Sequence, residues 1–328
     1  MNYISLYNSG ELAIRVESLW QRLAACDICP RECGVNRLSG KMGFCHSGKL
    51  PIVASVCDHH GEEPVLSGSR GSGTIFFGNC NLKCCYCQNY QISQQYKQQK
   101  ANQVSCQRLA QYMLWLQNEL GCHNINFVSP SHFVPQIVKA LLQAIPLGLK
   151  IPLVYNTNAY DSLKTLKDLE GVIDIYLPDL KYAVDKYARK FSRAVDYVFH
   201  CRNAIREMQR QVGTLSVNED GIAVRGLIVR HLILPHHLAG SRKSLNWLAQ
   251  KVSPNATIGL MSQYHPTHNA FKHPLLSRQI SPAEYDEALK AMQEAGLTKG
   301  WTQDMAAHKH YLPDFKRPQN PFDTTIHL

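Results

Sequence analysis

Apolar positions at Leu12, Val16, Leu19, Trp20 and Leu23 recur with the spacing of one helix face, and Ser9 stands where an N-cap belongs. From Thr74 onward the pattern changes. Short apolar runs at 74–77, 124–128, 151–155, 172–177, 227–234 and 257–261 read as strands. Amphipathic stretches at 105–120, 133–145, 163–169, 195–212, 243–252 and 283–295 read as helices between and after them. Such alternation implies a parallel sheet with right-handed crossovers. Polar clusters directly follow several strands: Ser129-Pro130-Ser131-His132, Asn156-Thr157-Asn158, Asp179-Leu180-Lys181 and Gln263-Tyr264-His265. These are strand C-terminal ends, where α/β barrels and doubly wound sheets both bind ligands. Six strands are too few for a closed eight-stranded barrel, so an α/β fold built as a partial (β/α)6 barrel is expected. Turn residues from Ser67 to Gly73 put a boundary near residue 70. The expected units are an N-terminal helix with a Cys-rich metal-binding segment (1–70) and the barrel (71–328).

Composition narrows the class. The chain has 328 residues, 45% hydrophobic and 18% charged, which excludes a disordered or low-complexity protein. No run approaches the roughly 18 apolar residues of a membrane span, and the opening residues lack a basic-then-apolar leader. No membrane partner and a cytoplasmic location are expected. The formal charge of +10 gathers on helix faces at Lys186, Arg189, Lys190 and Arg193, then Arg202, Arg206 and Arg210. A solvated face is the simplest reading, with docking of an acidic partner or nucleic acid as the alternative.

The 12 cysteines change the picture more, because reduced thiols serve as metal ligands or nucleophiles. Cys106, Cys122 and Cys201 stand singly in apolar patterns and read as core thiols. Cys80, Cys84 and Cys87 are spaced C-x3-C-x2-C immediately after the first barrel strand. Three thiolates on one short loop suit one face of a cube-shaped iron–sulfur cluster and leave one iron open for chemistry. Cys85 offers a competing register, C-x4-C-x-C, and zinc is the competing metal. Upstream, Cys26-x2-Cys29-x3-Cys33-x11-Cys45 form a second constellation that zinc, rubredoxin-like iron or a second cluster all fit. A structural role is the simpler expectation there, with Cys57 and His46 as substitute ligands. Of Glu62 and Glu63, at most one is expected to face the barrel cavity, since neighbours on an extended strand point to opposite sides. His236, His237, His265, His268 and Trp301, near late strand ends, are candidates for a substrate pocket.

The loop from Gly78 to Asn89 resembles the cluster motif of the radical S-adenosylmethionine (SAM) superfamily. Further stretches are similar to its PflX-like branch, related to pyruvate formate-lyase activating enzymes. They are Cys29-Pro30-Arg31-Glu32-Cys33-Gly34-Val35-Asn36-Arg37, His59 to Pro64, Gly71 to Cys80, Gln88-Asn89-Tyr90, Tyr176 to Tyr182, Arg230-His231-Leu232 and Leu260 to Tyr264. The resemblance implies a barrel of the radical SAM type. Cys80, Cys84 and Cys87 would hold a [4Fe-4S] cluster and SAM would chelate its open iron. It implies an oxidoreductase in which one electron from an external donor, such as flavodoxin or ferredoxin, cleaves SAM to a 5′-deoxyadenosyl radical that abstracts hydrogen. The substrate the resemblance implies is a glycyl radical enzyme, with a small molecule, peptide or RNA as the alternative. The cofactor-binding positions it implies are Tyr86 near the adenine, Asn89, and Asp179 and Lys181 near SAM. Two departures stand out. Gln88 replaces the His of related activating enzymes, and Ser129, Ser131 and His132 stand where a Gly-Gly-Glu often meets the SAM amine. A reading of another class is a metal-stapled module that binds nucleic acid or protein.

Overall fold

Gly10, at a left-handed φ of 80°, separates two N-terminal helices, α1 (Asn2–Asn8) and α2 (Glu11–Gln21), in the computed structural model, which describes residues 1–305, 313–317 and 320–322. Gly10, not Ser9, takes the N-cap position of α2. The chain reverses there through a conformation that costs a side chain, and Ser9 closes α1 instead, its hydroxyl donating to the Leu6 carbonyl. Leu12, Val16 and Leu19 form the buried face of α2, as their spacing requires.

The strands are β1 (Val53–His59), β2 (Ser72–Phe77), β3 (Ile125–Val128), β4 (Leu153–Thr157), β5 (Ile175–Pro178), β6 (Ser216–Val217), β7 (Ala223–Leu232), β8 (Thr257–Met261) and β9 (Gly300–Thr302). They form one sheet in the order β1-β2-β3-β4-β5-β7-β8-β9, with β6 paired to β7. The run from β2 through β9 is parallel and β1 is antiparallel to β2. The six expected strands are all present. The short β9 extends the parallel run, and β1 brings residues N-terminal to the expected boundary into the same sheet.

The intervening helices are α3 (Pro64–Ser67), α4 (Tyr90–Ser93), α5 (Tyr96–Gln99), α6 (Cys106–Asn118), α7 (Val134–Ala144), α8 (Leu163–Asp168), α9 (Asp185–Ser192), α10 (Tyr197–Val212), α11 (Ser241–Lys251) and α12 (Pro282–Glu294). None is long and apolar enough to cross a membrane among the described residues. Strand side chains alternate between two environments, as the period of two demands. Ile75, Phe77, Ile125 and Phe127 join the large core that holds Leu109 and Met113 of α6 and Ile137 and Leu141 of α7. The alternate residues turn the other way. Phe76 and Val128 cluster with Cys57 and Ile92, while Val154, Ile175, Leu177 and Ile228 surround Leu66 of α3. This second set lines the barrel interior, and Leu66 plugs one end.

Two contacts aim the rim. β7 pairs with β5 only through Ile175–Gly226 and Tyr176–Leu227, then follows β8 over five residue pairs. Gly226 has φ 128° and a Cβ there would stand 2.4 Å from the Leu215 Cα, so only glycine lets the β6–β7 turn close. Beyond that seam an isolated bridge pairs Asp179 with Arg230, setting both at the C-terminal end of the strands.

Candidate functional site

The loop after β2 is built to turn sharply. Gly78 N–H donates to the Ile52 carbonyl at 2.9 Å, and a Cβ on Gly78 would lie 2.5 Å from Ile52 Cγ2. Asn79 follows at φ 66°, a region Asn tolerates better than most residues. Two backbone bonds then clamp the loop to the end of α9: Lys83 N–H to the Ser192 carbonyl (3.0 Å) and Cys85 N–H to the Phe191 carbonyl (2.8 Å).

This clamp brings a hydroxyl to a sulfur. Ser192 Oγ donates to Cys84 Sγ at 3.0 Å and meets Tyr182 Oη at 2.8 Å, and Tyr86 Oη donates to Tyr182 Oη at 2.6 Å. Asn158 Nδ2 donates to Cys80 Sγ at 3.4 Å, and Ser93 Oγ lies 3.1 Å from Cys87 Sγ. Asn89 positions Ser93, because its carbonyl accepts the Ser93 N–H at 2.9 Å at the start of α4. Each of the three cysteines thus has a polar side-chain neighbour at its sulfur. Burial raises the thiol pKa of Cys80, Cys84 and Cys87, Cys84 to about 11, which disfavours free thiolates here unless a cation binds them. Among the described residues Cys85 has no polar side-chain contact of this kind: its backbone N–H bonds to Phe191, its carbonyl accepts from Asn269, and its side chain packs against the core. The sulfur environments therefore fit a cluster on Cys80, Cys84 and Cys87, in the C-x3-C-x2-C register.

On the same rim Asp179 Oδ2 accepts from Lys181 Nζ at 2.8 Å, and Asp179 Oδ1 accepts from Arg230 Nε at 2.9 Å. Burial alone would raise the Asp179 carboxyl, but the Arg230 and Lys181 charges hold it below the usual carboxylate range. Arg230 Nη2 donates to Asn156 Oδ1, and its Nη1 lies 3.5 Å from Glu62 Oε2. Glu63 reaches the same guanidinium electrostatically, and its Oε1 approaches Gly259 on β8. Both glutamates therefore face the interior, correcting the expectation of one. The reason is local: residues 60–62 form a bend ahead of α3 instead of continuing β1, so the strand rule does not apply. Burial and the Glu62 charge raise the Glu63 carboxyl to about 7, whereas His59 and Arg230 keep Glu62 ionised against its own burial. Deeper in the interior, Asn126 is fully buried with both amide atoms unpartnered.

The remaining candidates divide. Ser131 Oγ lies 3.1 Å from Thr157 Oγ1, which donates to Asp161. Ser129 has φ 59° and its N–H donates to the Asn156 carbonyl. His132 turns toward the Gly78 carbonyl, 3.1 Å from its Nε2, and lines the cavity walled by Cys26, Cys29, Cys33 and Cys45. Burial, then the Arg37 charge, lowers His132 to about 3, so it is neutral. Cys57 belongs to the interior cluster on β1 and is absent from the four-cysteine cavity, because strand pairing commits it to the sheet. His46 stacks on Tyr96 at 3.9 Å. His236 and His237 are exposed on a surface turn, His237 beside Glu287, so they line no interior pocket. His268 stacks on Tyr90, His265 meets Gln279, and Trp301 packs on the interior plug cluster. Gln88, Gln263 and Gln303 form an amide chain joining the cysteine loop to the ends of β8 and β9.

Asn158 lies in one of the strand-end polar clusters and Arg230 and Arg37 in the motifs quoted above, but no local pattern marks Ser93 or Ser192, the latter 108 positions from the sulfur it contacts.

A family model described as the radical SAM superfamily matches residues 74–215. An uncharacterized protein of Methanocaldococcus jannaschii is 28% identical over 288 residues, 87% of this chain and 79% of that protein. Among solved structures, HydG, a maturase of the [FeFe]-hydrogenase, superposes with TM-score 0.47 and 13% identity over 69% of this chain and 50% of that one. SuiB of Streptococcus suis, bound to precursor peptide SuiA, gives 0.46 and 12% over 69% and 47%. Methylornithine synthase gives 0.43 and 14% over 70% of each chain. The chain spans about half the length of the first two. Members of the matched superfamily use a [4Fe-4S] cluster and SAM and need an external electron donor.

Proposed function

We propose, from the match of residues 74–215 to the radical SAM superfamily model, that the chain is a radical SAM oxidoreductase whose cluster is held by Cys80, Cys84 and Cys87. The observation that carries this is the loop itself: the buried Cys80 and Cys84 and the half-buried Cys87 at the end of a parallel strand, each with a polar side chain at its sulfur. When bound, the cluster and SAM supply reductive cleavage to a 5′-deoxyadenosyl radical that abstracts hydrogen from substrate. The chain's residues hold and orient. Asn158, Ser192 and Ser93 place hydrogen-bonding groups at the sulfurs and favour the more negative state of whatever they ligate. Asp179 and Lys181 present adjacent opposite charges on the rim, which suits the carboxylate and amine of SAM. Tyr86, buried beside the loop, supplies an apolar face near the adenine. Ser129 and Ser131 line the neighbouring strand end.

An external one-electron donor such as flavodoxin or ferredoxin would feed this site in the cytoplasm. The PflX-like resemblance supports a glycyl radical enzyme as the substrate. One observation favours a small polar substrate instead. The interior is lined by Glu62, Glu63, Arg230 and the unpartnered Asn126, and its β2 side is covered by Phe315 and Phe322, packed on Phe76 at 5.2 and 5.9 Å. A polar wall with an aromatic cover selects a compact polar molecule more readily than a protein loop.

The test is anaerobic reconstitution with iron and sulfide, reduction, and incubation with SAM. Formation of 5′-deoxyadenosine by the wild type and its loss in Cys84→Ala is expected. A cluster-loaded protein that never cleaves SAM would refute the assignment. Deuterium transfer into 5′-deoxyadenosine from labelled glycyl radical enzyme or from labelled small polar compounds then separates the two substrate readings.

A further inference from the structure

We propose that Cys26, Cys29, Cys33 and Cys45 hold a second iron–sulfur cluster, abutting the first, through which an electron from the external donor reaches it. The relay half of this rests on the radical SAM reading above. The four thiols wall one cavity of about 10 Å³. Four sulfurs each about 2.3 Å from a shared zinc ion touch one another and leave no void between them. A cavity of this size admits roughly one water, so the cage is wider than one ion needs. Four cysteines around a wider centre are the ligand set of a [4Fe-4S] cube.

Charge points to the same centre. Arg37 is 1% exposed, the largest fully buried side chain among the described residues. Its Nε and Nη2 donate to the Gly48 carbonyl at 3.1 and 2.8 Å, and its Nη1 donates to the His132 carbonyl at 2.8 Å and stands 3.8 Å from Cys26 Sγ. No carboxylate is among these partners. A buried guanidinium needs a counter-charge, and a centre ligated by four thiolates is anionic.

Three hydrogen bonds join this cage to the barrel loop. Arg31, between Cys29 and Cys33, donates through Nε to the Asn81 carbonyl at 3.0 Å. Asn79 Nδ2 donates to the His46 carbonyl at 2.9 Å, and His132, on the cage wall, meets the Gly78 carbonyl. Lys83 is coupled electrostatically to Cys80 and Cys87 on one side and to Cys45 on the other. Since Asn79 adjoins Cys80 and His46 adjoins Cys45, the chain caps the Cα separation of those cysteines at roughly 17 Å. The step balances with one electron. The reduced donor loses it, the cage cluster gains it and loses it again, and the barrel cluster ends reduced by one, with no bond or proton changed.

Anaerobic reconstitution of the full chain tests both halves. Wild type is expected to bind about eight iron and eight sulfide atoms, and the triple variant Cys80→Ala, Cys84→Ala, Cys87→Ala about four of each, with a reduced EPR signal that SAM leaves unchanged. Zinc without sulfide in the triple variant overturns the second cluster and leaves the barrel cluster untouched. Iron and sulfide equal to wild type in that variant would instead sink the barrel assignment, and the relay with it. Arg37→Gln keeps all four thiols. It should retain both clusters, shift the SAM-insensitive signal to more negative potential, and slow reduction of the barrel cluster by reduced flavodoxin several-fold, with Arg37→Lys restoring both. An unchanged reduction rate in a cluster-loaded Arg37→Gln protein overturns the relay.

Discussion

Replacing Asp179 by Asn keeps the side-chain size and removes one charge from a rim where Asp179 and Lys181 are only 16% and 17% exposed. In the folded chain Asp179 accepts from both Lys181 (2.8 Å) and Arg230 (2.9 Å). Arg230 retains Asn156 and Glu62, whereas Lys181 Nζ loses its carboxylate partner. Removing one partner of this half-buried pair costs less than the figure for a fully buried one, on the order of 1–3 kcal/mol, so the variant should melt earlier by a few degrees. A contact with SAM adds a separate effect. One charge-assisted hydrogen bond is worth about 1.5–3 kcal/mol, equivalent to a roughly 10- to 150-fold loss of SAM affinity. The assay is anaerobic titration of the reconstituted protein with SAM, read from the EPR spectrum of the reduced cluster, beside thermal melts of the same samples. If Asp179 acts by orienting Lys181, then Lys181→Met gives a similar loss and the double variant is no worse than either single one. Normal SAM affinity in a destabilised Asp179→Asn protein would refute the reasoning and leave a strand-end ion pair with no part in binding.

Three further outcomes are expected. Cys84→Ala should lose the SAM-responsive cluster while Cys85→Ala keeps it, as iron counts with and without SAM-perturbed EPR will show; equal loss in both would sink the register. Ser192→Ala removes the hydroxyl 3.0 Å from Cys84 Sγ and should move that cluster to a more negative potential without altering iron content, measured by EPR-monitored redox titration. Glu63, raised to about 7 by burial and the Glu62 charge, holds a proton in the folded chain that the unfolded chain releases above its ordinary carboxylate value. Stability should therefore fall as pH rises from about 4.5 to 7, and Glu63→Gln should remove that slope and stabilise the protein at pH 8 by on the order of 1–3 kcal/mol, as denaturant titrations across pH will test.

Local and periodic features are legible in the order of amino acids alone. The spacing of Cys80, Cys84 and Cys87 places three sulfurs on one turn whatever the rest of the chain does, and the alternation of apolar runs with amphipathic stretches already required a parallel sheet whose strand ends carry Asn156, Asp179 and Lys181. Each of these depends on residues within a few positions of one another, so a period or a spacing reveals it. What surrounds those residues depends on pairs far apart in the chain. Ser192 reaches Cys84 because the cysteine loop is clamped to the end of α9, and Arg230 reaches Asp179 because β7 lies beside β5. Glu62 and Glu63 turn inward together because a bend, not a strand, follows β1. Arg37 meets Cys26 and the His132 carbonyl only once the N-terminal loops are packed on the barrel rim. Burial then does the rest: it raises the cysteine thiols and Glu63, keeps His132 neutral and makes an unpaired guanidinium costly, and only the packed tertiary structure decides which groups are buried together.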